Sequence, residues 1–306
     1  MEDSSEHTAA LVRQGYHMVG HAAVKPCLWL NRSLRGEDQC YKHHFYGISS
    51  HRCIQMTPVL HCNHLCMHCW RPVDQPIALP REWLEPDDLL QRVVMEQRRV
   101  LSGYGGSPVL DRERFEESKV PAHLAISLMG EPTYYPMLDE LIDAARRRSM
   151  TTFLVSNGTR PEVLERVRPT QLYLSLSASD REQYLHAAHP SRDDWDQVLS
   201  SLHLLGDHAS RTVVRITLVK GFNMDPEGFF SLLKEAGPDF IEAKAYMHLG
   251  KSRGRLTREA MPSHEEVMAF SLRLAENLGY SLSGEVPLSR VALLTNNRRP
   301  RIIEEH

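Results

Sequence analysis

The chain has 306 residues, 42% hydrophobic and 25% charged, which suits a folded globular protein with a sizeable core and excludes disordered and fibrous classes. No apolar run approaches the ~20 residues of a membrane helix. The start, Met1-Glu-Asp-Ser-Ser-Glu, is too acidic for a signal peptide, so a cytoplasmic protein with no membrane partner is expected. A formal net charge of −3 argues against broad non-specific nucleic-acid binding and leaves room for a structured RNA on a local basic patch.

In chain order, a short helix is expected over Thr8–Gln14, then an irregular, cysteine-bearing stretch over residues 27–53. A first strand is expected over Met56–Cys62, and residues 71–86 read as a Pro-rich loop. Leu89, Leu90, Val93, Val94 and Leu101 mark one helical face, and Pro86-Asp87-Asp88 starts that helix. Residues 107–121 look like a polar insertion. Strands and helices then alternate, with strands over 123–128, 152–156, 172–176, 213–218 and 240–246. Helices are expected near 181–187 and 193–206, and over 264–278 with Ser263 as cap. Repeated strand–helix units imply a parallel sheet. Six units predict an α/β fold, an open (β/α)6 partial TIM barrel whose site lies at the strand C-terminal ends. The expected division is an N-terminal extension over 1–55, a barrel domain over 56–295 and a flexible tail over 296–306.

All six cysteines lie between residues 27 and 69. Cys62, Cys66 and Cys69 share one loop with spacing Cys-x3-Cys-x2-Cys. In a reducing compartment they read as metal ligands. Three thiolates on a [4Fe–4S] cluster leave one iron open to an outside ligand, and the amino and carboxylate groups of S-adenosylmethionine fit that role. The rival is a closed zinc site that recruits His61, His64 or His68. Cys27, Cys40 and Cys53 are left over, either as a second three-thiol cluster site or as free buried thiols. Lys42, two residues from Cys40, is either a solvated cation or an amine able to form a Schiff base with a ketone.

Gly130-Glu131-Pro132 follows the second strand, where a glycine permits close approach and a glutamate can accept from an ammonium group. Asn157, Ser175, Ser177 and Arg215 fall at or near strand ends. They are candidates for ribose hydroxyls and the methionine carboxylate, or else caps and turns. Arg215 lies in an apolar strand and needs a buried anion, from an acid side chain or a cofactor. Basic segments at 146–148, 251–258 and 298–301 read as solvated faces, although the second would sit on the rim of the site.

The loop spacing resembles the radical S-adenosylmethionine superfamily, in which a Gly-Glu pair at the position of Gly130 and Glu131 contacts the cofactor's methionine amino group. The chain as a whole resembles the archaeal tRNA 4-demethylwyosine synthases. The matching stretches include Gly20-His21-Ala-Ala-Val-Lys25, Cys40-Tyr-Lys42, His51-Arg-Cys53, Cys69-Trp-Arg71, Ser127-Leu-Met-Gly-Glu-Pro-Thr133, Val155-Ser-Asn-Gly158, Tyr246-Met-His-Leu-Gly250 and Ser289-Arg-Val-Ala-Leu-Leu294. That family condenses N1-methylguanosine at position 37 of tRNA(Phe) with two carbons of pyruvate. The resemblance implies two [4Fe–4S] clusters, on Cys62, Cys66 and Cys69 and on Cys27, Cys40 and Cys53. It also implies S-adenosyl-L-methionine as cofactor and Lys42 as the residue that engages pyruvate. His68 departs from the Phe or Tyr common before the third loop cysteine. The flavodoxin-like domain of eukaryotic relatives has no counterpart, so an external electron donor is expected, with a monomeric enzyme. The alternatives are a radical enzyme acting on a peptide or small metabolite, and a non-catalytic zinc-bearing RNA-binding module.

Overall fold

The computed structural model describes residues 2–72 and 77–303, with side chains from residue 8 onward. Ten strands form one sheet among the described residues: β1 His17–Val19, β2 Ala22–Val24, β3 Cys53–Thr57, β4 His123–Ile126, β5 Thr151–Ser156, β6 Gln171–Ser175, β7 Arg211–Leu218, β8 Phe240–Ala245, β9 Ser281–Val286 and β10 Val291–Thr295. Their order is β1-β2-β3-β4-β5-β6-β7-β8-β10-β9. Strands β3 to β8 are parallel neighbours in chain order, which is the expected open six-unit barrel. Antiparallel strands extend it at both edges.

Successive side chains of a strand face opposite sides, and both sides of this sheet are filled. Leu124, Ile126, Leu154, Leu172, Leu174, Val214, Ile216, Ile241 and Ala243 pack into the core that holds Leu89, Val93, Leu141, Leu202, Leu233 and Leu274 of the outer helices. The alternate residues Ala125, Phe153, Tyr173, Val213 and Phe240 form a second core with Phe45, Tyr46 and Ile48. The N-terminal extension therefore plugs the concave face of the barrel. The helix His264–Leu278 starts with the expected capping box between Ser263 and Glu266 and ends on Gly279 at φ 70°.

Four expectations need correction. The first strand is Cys53–Thr57, earlier than Met56–Cys62. Pro58 has no N–H to continue the ladder, so residues 58–62 are loop and a boundary at 55/56 would cut β3. The irregular stretch contains two short helices, Leu28–Ser33 and Tyr41–Tyr46. The polar insertion contains a third, Arg112–Ser118, capped by Asp111. The tail is pinned as far as residue 303. Arg298 and Arg299 each lie 3.6 Å from Asp239, Ile303 N–H donates to Tyr46 O at 2.9 Å, and the Ile303 side chain is buried. Residues 304–306 of that tail and 73–76 of the Pro-rich loop lie outside the described residues.

Candidate radical-cofactor site

The loop Cys62–Cys69 is held from several sides. Leu65 N–H and Met67 N–H donate to Ala188 O and Ala187 O at 2.9 and 2.8 Å. His64 Nε2 pairs with the Tyr184 hydroxyl at 2.9 Å. Asn63 Nδ2 reaches Thr159 Oγ1 and Asp194, and Asn157 Nδ2 donates to Asn63 Oδ1 at 2.8 Å. Arg255 donates to the carbonyls of Met67 and Cys69, and Lys251 N–H donates to Trp70 O at 3.2 Å. The loop backbone is thus fixed by contacts to elements far away in the sequence.

All six cysteines are free thiols and half-buried. Within the loop, Cys62 feels the charges of Cys66 and Cys69, and burial followed by Cys69 pushes the Cys66 thiol up to about 12. Bringing three thiols together is costly unless something cationic takes their protons' place. Among the described residues, no three His, Cys, Asp or Glu side chains converge closely enough to hold a single metal ion. Three thiols in one loop suit a cubane, in which separate irons take one thiolate each.

Beside the loop lies one cavity lined by Cys66, His68, Asn157, Ser175, Ser177, Tyr184 and Trp195. Three of the four polar residues picked at strand ends therefore converge next to a loop thiol. His68 faces the same cavity with its Nδ1 buried and unpartnered. Burial and then Arg255 depress its pKa to about 4, so the ring is neutral.

Gly130 and Glu131 work from behind this cavity. Gly130 adopts φ 69°, and a Cβ there would sit 2.1 Å from Val59 O and 2.8 Å from His61 O. Only glycine lets β4 come so close to the start of the loop. The buried Glu131 carboxylate accepts from the Thr133 and Ser156 hydroxyls, both at 2.8 Å, and from Asn157 N–H at 2.7 Å. Burial raises its pKa against these donors. Its bonds fix Asn157 at the cavity wall.

Arg215 is not part of that wall. It donates to Glu242 Oε2 at 2.8 and 2.9 Å and to the Tyr41 hydroxyl at 2.7 Å, and its guanidinium lies 4.5 Å from the Tyr173 ring. The anion its position demanded is an acid side chain. Burial would lower its pKa, but Glu242, Tyr41 and Tyr173 outweigh that and leave it raised. Tyr46 donates to the other Glu242 oxygen at 2.7 Å.

This second polar group surrounds Lys42, deep on the concave side. The Lys42 ammonium lies 4.6 Å from the Phe153 ring centre and 5.0 Å from that of Tyr173. Burial first, then Arg215, lowers its pKa, while Cys53, Glu242 and Cys40 oppose the shift. Cys27, Cys40 and Cys53 are drawn together around it from three elements. Cys27 and Cys40 are the N-cap residues of the two short helices, and Cys53 opens β3. Leu30 N–H donates to Cys27 Sγ at 3.3 Å, and the Ser50 hydroxyl to Cys40 Sγ at 3.3 Å. Burial and Cys40 push Cys27 up to about 11, and Cys53 feels both other thiols.

The sequence reading missed Tyr41, Glu242 and Lys244. Lys244 donates to Ser289 O at 2.9 Å over the Tyr41 ring, and burial then Arg215 bring its pKa down to about 8. The signal was present: Glu242 and Lys244 alternate with apolar residues in a buried strand, so both point the same way.

The model described as Radical SAM superfamily matches residues 56–233, and the model described as Wyosine base formation matches residues 235–296. The S-adenosyl-L-methionine-dependent tRNA 4-demethylwyosine synthase of Pyrococcus abyssi is 46% identical over 302 residues, covering 94% of this chain and 88% of that protein. The Methanocaldococcus jannaschii enzyme of the same name is 41% identical over 299 residues, covering 94% and 95%. A solved structure described as TYW1 with a lysine-pyruvate adduct bound superposes with a TM-score of 0.89 at 39% identity, over 97% of each chain. A crystal structure of archaeal TYW1 gives 0.83 at 37% identity, over 97% and 99%. The strand-end cavity, the three-thiol loop and these likenesses agree: the chain belongs to the S-adenosyl-L-methionine-dependent tRNA 4-demethylwyosine synthases, radical enzymes built around S-adenosylmethionine and a [4Fe–4S] cluster.

Proposed function

We propose that the enzyme condenses N1-methylguanosine-37 of tRNA(Phe) with two carbons of pyruvate, the third leaving as the carboxyl carbon. The observation that carries this reading is the burial of Lys42 between the second cysteine triad and the Arg215–Glu242 pair.

Cys62, Cys66 and Cys69 hold the radical cluster in this reading, and Asn157, Ser175 and Ser177 line the cofactor's place, with Gly130 and Glu131 setting the wall. When bound, cluster and cofactor supply the hydrogen-atom abstraction that opens an unactivated methyl group to bond formation. Cys27, Cys40 and Cys53 hold an auxiliary [4Fe–4S] cluster beside Lys42. A Schiff base needs a neutral amine, and the low-dielectric surroundings of Lys42 favour that form. The amine adds to the keto carbon of pyruvate and water leaves. Arg215 and Glu242 neutralise each other, and Lys244 leaves the lumen a positive charge that suits a carboxylate substrate. The lysine-pyruvate adduct described for the TYW1 neighbour supports the same role for Lys42. An external donor provides the electron, and the protein acts as a monomer in the cytoplasm.

The test is anaerobic incubation of reconstituted protein with methylated tRNA, pyruvate, S-adenosylmethionine and dithionite, followed by nucleoside mass spectrometry. The tricyclic base should appear only when all four are present. Borohydride with labelled pyruvate should mark the chain at Lys42. Product formation without pyruvate would refute the carbon source.

A further inference from the structure

The lip of the cofactor cavity carries side chains that belong to neither thiol triad. The helix Arg181–Ala188 ends beside the cluster loop, where Ala187 and Ala188 line the cavity and their carbonyls accept from Met67 and Leu65 N–H. The adjoining His186 faces outward. It is exposed, and its ring stacks on that of Phe222 at 5.5 Å between centres and 28° between planes. The His189 ring lies 6.1 Å from that of His186 and is also exposed. His189 caps the helix at φ 40°, a left-handed position that glycine fills at less cost. Phe222 is half-buried and joins no apolar cluster among the described residues. Its neighbour Asn223 donates to Ser177 O at 2.9 Å. The ring stack therefore stands one residue from the cavity wall on both of its elements, and no core covers it.

A basic rim adjoins the stack. Lys220 N–H donates to Ala260 O at 2.9 Å, which ties the turn before Phe222 to the segment that follows β8. Residues 250–260 carry Lys251, Arg253, Arg255 and Arg258 against one acid, Glu259. Arg255 turns inward to the loop carbonyls. Lys220 is neutralised by Glu266 at 2.6 Å. Arg253 and Arg258 are exposed. Arg253 donates from Nε to His248 O at 3.3 Å, which leaves its Nη donors outside that bond. Exposed His and Phe rings beside arginines, at the mouth of a site, are the pattern that binds a splayed single strand of RNA. Unpaired bases stack on the rings, and backbone phosphates meet the cations.

We propose that His186, His189 and Phe222 form a stacking platform for an unpaired base of the tRNA anticodon loop, next to the modified nucleotide, while Arg253 and Arg258 hold backbone phosphates. The proposal rests on tRNA being the substrate and adds where the strand is gripped. A base held on the lip brings its neighbour to the mouth of the cavity beside Cys66.

The experiment titrates labelled tRNA bearing N1-methylguanosine into anaerobically reconstituted protein over a series of salt concentrations. Phe222→Ala should weaken binding about fivefold or more with the log–log salt slope unchanged. His186→Ala should weaken it to a similar degree, and His186→Phe, which restores a ring, should recover it. Arg253→Ala and Arg258→Ala should each lower the slope by about 1. Iron content and S-adenosylmethionine affinity should match the wild type in every variant. His186 is exposed, so His186→Ala decides the matter if Phe222→Ala does not fold. Wild-type tRNA affinity in His186→Ala overturns the platform. So does a loss of S-adenosylmethionine affinity with tRNA binding intact, which would make the rings part of the cofactor pocket. Unchanged slopes in both arginine variants overturn the phosphate contacts. Product formation by the wild type reports on the functional reading separately, so the two failures are distinguishable.

Discussion

The two cysteine triads differ in how they are assembled. Cys62, Cys66 and Cys69 come from eight consecutive residues, and the backbone of their loop is fixed by bonds to the carbonyls of Ala187 and Ala188 and from the Arg255 side chain. Cys27, Cys40 and Cys53 come from two helix caps and a strand start, and they meet only when the extension fills the barrel. The first arrangement is local chemistry held by a distant frame. The second is a product of tertiary packing, so it should fail in different ways.

The largest effect is expected in the loop. Cys62→Ala, Cys66→Ala or Cys69→Ala should bring S-adenosylmethionine cleavage to background, since each removes a thiolate that the proposed cluster needs. Retained 5′-deoxyadenosine formation in any of them would break the assignment. Cys27→Ala, Cys40→Ala or Cys53→Ala should abolish the tricyclic product while reductive cleavage continues. Iron analysis should fall from two clusters to one; two full clusters in all three variants would dissolve the contrast between the triads. Lys42→Arg keeps a charge but cannot form a Schiff base. Turnover should fall by about 100-fold or more, with both clusters and cofactor binding intact. Near-normal turnover would leave Lys42 only an electrostatic role.

The triads also differ in what the sequence reveals. A Cys-x3-Cys-x2-Cys spacing is readable because all its geometry is local. The parallel strands were readable for a similar reason, since Val213–Leu218 and Phe240–Ala245 are short, mainly apolar and mostly buried runs, interrupted only by Arg215, Thr217, Glu242 and Lys244. The first strand was misplaced because Cys53-Ile-Gln-Met-Thr hides its alternation among polar residues, and Pro58 was read as inside it. Strand β9, Ser281-Leu-Ser-Gly-Glu-Val, is a largely exposed edge with little apolar pattern, and it went unseen. Arg215 was located in an apolar strand, but its partner Glu242 is 27 residues away, and pairing across neighbouring strands is set by register.

Two smaller effects probe the frame around the loop. Gly130→Ala forces a Cβ to within 2.1 Å of Val59 O at a positive φ. Backbone strain alone is worth ~1–3 kcal/mol, so the urea midpoint should fall, together with iron retention at the radical site. An unchanged midpoint would mean that the approach of β4 to the loop is loose. The smallest effect concerns His21, whose Nδ1 donates to Pro58 O at 2.6 Å and whose Nε2 accepts from Leu84 N–H at 2.8 Å. Burial lowers its pKa, and the Pro58 carbonyl partly opposes this. The unfolded chain therefore takes up the proton first as pH falls. Stability contributed by neutral His21 is present above about pH 6.5 and declines from there toward the lower folded pKa. His21→Gln should make the acid-side decline in melting temperature shallower by about 2 °C. An identical pH profile would remove His21 from the account.

The bonds from residues 251 and 255 to the carbonyls of Met67, Cys69 and Trp70 bear on how this protein can be divided. Gly250, at φ 52°, approaches Trp70 so closely that a Cβ would lie 2.1 Å from its carbonyl oxygen. The cluster loop belongs to the stretch shared with the wider superfamily, residues 56–233, whereas its fastening belongs to the wyosine-specific stretch, residues 235–296. A fragment ended at residue 233 would keep every loop thiol and lose the donors that hold three loop carbonyls in place. The generic and the specialised stretches of the chain are therefore not separable as physical modules.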